Sequence, residues 1–177
     1  MKDRNHVRNL VISGLLLALG LIIPYIFHSS GIAGNIFLPM HIPVLIGGFL
    51  LPPQFALLLG ILTPIINSLI TGMPSFFPIA IIMVFELGTY GLLASVLYFK
   101  LRLPTVIALI LSMLGGRIIA GLVVFILAIF FAIPLEPITY IIGAITAGIP
   151  GIVIQLILIP ILIHGIVRYT TIYLDYD

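Results

Sequence analysis

The chain is a succession of apolar runs that proline, glycine and a few charges cut into lengths close to the thickness of a bilayer. The first, Leu10 to Phe27, holds no charged residue. It is longer than the apolar core of a secretory signal and further runs follow it, so it reads as a membrane span. Cutting the rest at the same punctuation gives spans over about 8–27, 39–52, 54–70, 78–99, 103–131 and 139–168. Pro52-Pro53 separates the second from the third, because proline lacks a backbone donor and crowds the preceding turn. The pattern predicts an all-α polytopic membrane protein, with six transmembrane helices in one integral membrane domain over 1–177. The second and third spans are short against the roughly 20 helical residues that cross a hydrocarbon core. One of them is expected to tilt or to be partly re-entrant.

Composition removes the soluble alternatives. Hydrophobic residues make up 62% and charged residues 7% of the chain, with a mean hydropathy of +1.40. A soluble domain carries about a quarter charged residues. So apolar a chain is neither a cytosolic enzyme nor disordered, and its 7 Lys/Arg are too few for a nucleic-acid footprint. It has no cysteine, hence no disulfide or thiolate chemistry. No P-loop and no dinucleotide fingerprint is present, so the chain is not expected to hydrolyse ATP by itself.

Charge orients the spans. With the N-terminus inside, Lys2, Arg4, Arg8, Lys100, Arg102 and Arg168 all fall on the inner side, and the outer loops contain no Lys or Arg. That is the positive-inside pattern with both termini cytoplasmic. Tyr169, Tyr173 and Tyr176 suit an interfacial belt.

Glu86 and Arg117 are the ionisable residues deep inside spans, costly there unless paired or facing a cavity. Counting from Pro78 puts Glu86 about 12 Å below the outer surface. Counting from Leu103 puts Arg117 about 9 Å below it in a core of about 30 Å. The matched depths allow a structural brace between the fourth and fifth spans. They also allow a ligand pocket in which Glu86 orients a guanidinium that keeps donors free for a carboxylate. Asn67, His41 and Asn35 fall at a similar outer level, where each has either a packing role or a place in that pocket. Gln155 either joins them or bridges helices, and His164 reads as an interface residue. The histidines lack metal-ligand spacing and no nucleophile–base pair is evident, so neither a metal site nor an enzyme is expected.

Small residues form a second pattern. Gly14 and Ala18 lie four apart on one face of the first span, with Ser13 and Gly20 near it. Such a face permits close helix approach, to a partner or within the bundle. Gly115, Gly116 and Gly121, and Gly143, Ala147, Gly148 and Gly151, point to tight packing or to backbone near a ligand.

The run Phe37-Leu38-Pro39-Met40-His41-Ile42-Pro43-Val44-Leu45-Ile46-Gly47-Gly48-Phe49-Leu50-Leu51, with Leu62-Thr63-Pro64, Thr71-Gly72-Met73-Pro74 and Glu86-Leu87 followed by Tyr90-Gly91-Leu92, resembles the substrate-binding S components of energy-coupling factor vitamin transporters. The resemblance covers nearly the whole chain. It implies a six-helix S-component bundle in a bacterial or archaeal cell membrane, binding a small water-soluble vitamin from outside. The partners it implies are a transmembrane T component and two cytoplasmic ATPase subunits, which hydrolyse the ATP; this chain needs no cofactor. The family's T-contacting motif falls on Gly14 and Ala18, and its ligand-closing loops on 28–38, 71–77 and 132–137. Asn35, His41, Asn67, Glu86, Tyr90 and Arg117 are the ligand-binding candidates, with Tyr25 and Tyr140 as further stacking groups. The His41-Ile42-Pro43 variant is similar to members assigned to pantothenate, for which Arg117 is a suitable carboxylate partner; riboflavin and other micronutrients stay open. A stand-alone carrier, with Glu86 as its one acidic residue within a span, and a structural membrane protein are the rival classes.

Overall fold

A computed structural model describes residues 2–31 and 34–169, and every regular element among them is helical. Tyr173 and Tyr176 lie outside the described residues, as do the side chains of Lys2, Arg4, Asn35 and Tyr169. The helices are α1 (Lys2–Ser29), α2 (Gly34–Phe37), α3 (His41–Leu50), α4 (Pro53–Thr71), α5 (Ile81–Ser95), α6 (Thr105–Phe131) and α7 (Pro137–Tyr169). A wide turn over Val96–Lys100 continues α5 at its C-terminal end, whereas the Phe76–Ala80 segment before it is kinked at Phe77, whose backbone is extended.

Five of these segments are long and apolar enough to cross a membrane: Asn5–Ser29, Pro53–Thr71, Phe76–Lys100, Thr105–Phe131 and Pro137–Arg168. Their bounds fall close to five of the six spans read from the sequence. The second expected span, 39–52, is the exception. Only His41–Leu50 is helical there, about 15 Å of rise against a core of about 30 Å. The described residues thus hold five long membrane helices and a short one, the short one at a span the sequence already reads as too short for the core.

Contacts fix where the short helix lies. His41 at its start is beside Glu86 of α5, and at its far end Leu51 accepts a hydrogen bond from Ser95 Oγ at 2.8 Å. So α3 runs alongside α5 over the stretch from Glu86 to Ser95 and does not reach the N-terminal turns of α5. Helix α1 packs antiparallel to α3, Leu16 near Gly47 and Gly20 near Pro43.

Glycines bring the other helices close. A Cβ at Gly60 would overlap the Leu87 carbonyl and one at Gly91 the Ala56 carbonyl, so α4 and α5 pack with their backbones almost touching. Gly116 gives the Tyr90 ring its room, and Gly121 does the same for Ile141. Gly143, Ala147, Gly148 and Gly151 lie within α7, and a Cβ on Gly151 would come within 2.6 Å of the Phe37 carbonyl. That close approach is what seats the α2 segment on α7. Leu10, Val11, Leu15, Ile118 and Phe130 point outward, apolar and exposed, as lipid-facing residues do.

Candidate functional site

Because α3 starts at the depth of Glu86, the space above its first residue is filled by no helix. A cavity of about 850 Å³ occupies it. Its walls are the outer end of α1 (Pro24, His28), the segment carrying α2 (Gly34, Leu38 to Met40), and Met73, Pro74, Ile79 and Met83 before and within α5. The far wall is Pro134 to Glu136 and the first turns of α7, Thr139, Tyr140, Gly143, Ala144 and Ala147. The lining is mostly apolar, with Met40, Met73 and Met83 supplying side chains that adapt readily to shape.

The polar groups gather at the floor. Glu86, His41 and Arg117 all line the cavity and are all buried, at 1%, 4% and 7% exposure. Arg117 Nη1 lies 2.7 Å from Glu86 Oε1, and the Tyr90 hydroxyl donates to the same oxygen at 2.9 Å. Each helix is held so that this meeting occurs: Gly116 lets α6 approach α5 at the level of Glu86 and Tyr90, one residue before Arg117. Beyond the contact with Glu86, the guanidinium has no other hydrogen bond or ion pair among the described residues. Most of its N–H donors therefore remain available to whatever fills the cavity. His41 Nε2 stands 3.8 Å from Glu86 Oε1, beyond hydrogen-bond reach, and both ring nitrogens are buried without a partner. The start of α3 offers little backbone binding, since His41 N bonds Leu38 O at 3.0 Å and Pro43 has no N–H.

Other candidates have different positions. Asn67 does not line the cavity; its Nδ2 donates to Gly20 O at 2.8 Å and Thr63 O at 3.1 Å, tying α4 to α1. Tyr90 lies beneath Glu86, away from the lining, with its ring 5.6 Å from that of His41. The Asn35 side chain lies outside the described residues. Gln155 bridges α7 to Leu38 O at 3.4 Å. Tyr140 reaches the cavity, whereas Tyr25 faces outward. On α1, Gly14 and Ala18 are exposed and a Cβ on Gly14 meets nothing within 4 Å. Gly20 departs from that face: a Cβ there would stand 2.9 Å from Thr63 Cγ2.

The sequence reading had Gly143 and Ala147 as packing or near-ligand backbone, and they line the cavity; it did not single out the methionine wall or Glu136 at the mouth. Glu136 accepts from the Ile138 and Thr139 amides, at 3.1 and 2.6 Å, and so caps α7. Hydrogen bonding from Thr139, then from Ile138, holds this exposed carboxyl below the usual carboxylate range.

The sequence pattern of the family described as ECF transporter, substrate-specific component, matches residues 8–163. The chain belongs to that family. It is thus a membrane protein of transport that binds a small-molecule substrate, and family membership brings the ECF T component and the ATPase module as partners. Such members are binding subunits rather than enzymes. No curated protein and no solved structure matches the chain.

Proposed function

We propose that this S component captures a small water-soluble vitamin from the outer side of the membrane, in the cavity above α3. On this reading the polar head of the vitamin rests on Arg117, His41 and Tyr140, and its apolar part lies against Met40, Met73, Met83 and the Gly143–Ala147 strip. Arg117 is the observation that carries the reading: a buried guanidinium lines the cavity, and only Nη1 is engaged, by Glu86. A guanidinium braced from behind is the usual receiver of a carboxylate. This supports a vitamin with a free acid group, and pantothenate is the one favoured. ATP would be hydrolysed by the partner subunits, with no cofactor in this chain. Both termini lie on the cytoplasmic side, an orientation supported by the basic residues.

The test compares pantothenate with its carboxamide on the purified protein. Wild type should prefer the acid strongly, and Arg117→Lys, which keeps the charge but loses the planar fork, should narrow the ratio by about tenfold or more while the protein still folds. An unchanged acid-to-amide ratio in Arg117→Lys would reduce the pair to a structural brace.

A further inference from the structure

The floor of the cavity is already neutral before any ligand enters. Glu86 and Arg117 cancel one another at 2.7 Å, and the remaining fixed charge on the lining, Glu136, is negative and sits at the mouth. A carboxylate arriving at Arg117, as the preceding reading requires, would leave one uncompensated negative charge among apolar walls. Burying such a charge is prohibitive unless a counter-charge appears beside it.

One side chain is placed to supply it. His41 is 96% buried by its 4% exposure, lines the cavity, and has both ring nitrogens unpartnered. Its Nε2 and Arg117 Nη1 lie 3.8 and 2.7 Å from the same Glu86 oxygen, so imidazole and guanidinium are neighbours on the floor. The groups facing His41 are few. Helix α5 presents Glu86 and Tyr90, α6 Arg117 and α7 Tyr140; α1 contributes His28 at the mouth, and α4 has no titratable residue. Of these, Glu86 and Arg117 already answer one another at 2.7 Å, so an incoming carboxylate finds no counter-charge on the floor unless His41 carries it.

We propose that the cavity takes up its acid ligand together with one proton, and that His41 holds the proton. The ligand enters as its carboxylate, a ring nitrogen of His41 gains a proton from solvent, and no covalent bond is made or broken. The proposal rests on the acid reading given above and adds a pH dependence to it. Histidine changes charge across about pH 5 to 8, a range in which a vitamin carboxylate stays ionised. Acid binding should therefore weaken toward the alkaline side, approaching about tenfold per pH unit.

The experiment is titration calorimetry on the full chain in lipid nanodiscs, with pantothenate, biotin and nicotinate as monocarboxylate probes and their amides as controls. The expected result is that at least one acid binds with an enthalpy that varies between buffers of different ionisation heat, in proportion to nearly one proton taken up. The corresponding amide should show no such dependence. His41→Gln should abolish both the proton uptake and the pH slope of whatever acid binding it retains, including where its overall affinity falls. An acid that binds wild type with buffer-independent enthalpy and a flat pH profile overturns proton capture and leaves the acid reading standing. Amides binding as tightly as acids, or no acid binding, overturns both.

Discussion

Glu86 Oε1 is the point on which three helices converge. It accepts the Tyr90 hydroxyl within α5, faces Arg117 from α6 and stands nearest to His41 from α3. Equal depth along two spans was enough to anticipate the Glu86–Arg117 meeting, because an ion in hydrocarbon has few places to go except toward its opposite. Asn67 lies at a similar depth but is spent on the Gly20 and Thr63 carbonyls. Depth alone gives no azimuth around a helix that is apolar on nearly every side, so the sequence did not separate these two cases. Gly116 gives a test at this scale. A methyl group there would overlap the Tyr90 ring, and moving that ring breaks the hydrogen bond that steadies Glu86. Gly116→Ala should cost about 1–3 kcal/mol of stability through overpacking and weaken vitamin binding. Gly165→Ala, whose new Cβ meets nothing within 4 Å and which is away from the cavity lining, is the matched control. Thermal unfolding and binding of the two variants side by side check this.

Among the elements, α3 was legible as a short span near 39–52, but the residues do not say what keeps the chain before His41 out of the bundle. Pro39 and Pro43 hint at irregular backbone, but the reason for a short helix is tertiary: Gly151 seats the Ile36–Phe37 backbone and Gly148 the Leu38 side chain against α7. The other helix bounds were readable because proline and charge end them. For α1 the structure leaves Gly14 and Ala18 exposed while Gly20 and Leu16 pack inward. Ala18→Leu should therefore leave vitamin binding by the isolated protein unchanged and reduce its co-purification with the T component by an order of magnitude or about that, as branched bulk prevents close helix contact. Binding lost with assembly retained would place Ala18 in the interior instead.

At the scale of the molecule, the account joins one short helix to one open cavity. Helix α3 fills the stretch beside α5 from Glu86 to Ser95, and the cavity opens beyond its first residue. The basic residues predict an orientation with both termini cytoplasmic, so reporter fusions after Phe99 and after Arg168 should both report the cytoplasm. An outside signal from either would invert the scheme. The cavity itself is tested by filling it. Gly143 faces it from α7 with open space beyond its Cα, so Gly143→Phe adds a ring to the cavity with little strain on the protein. Native mass spectrometry of wild type and Gly143→Phe, purified from cells grown in vitamin-rich medium, is the most direct measurement. Wild type should retain a small vitamin, and the variant should melt at a similar temperature yet emerge empty; a variant that carries the same vitamin at the same occupancy would mean that the ligand binds elsewhere.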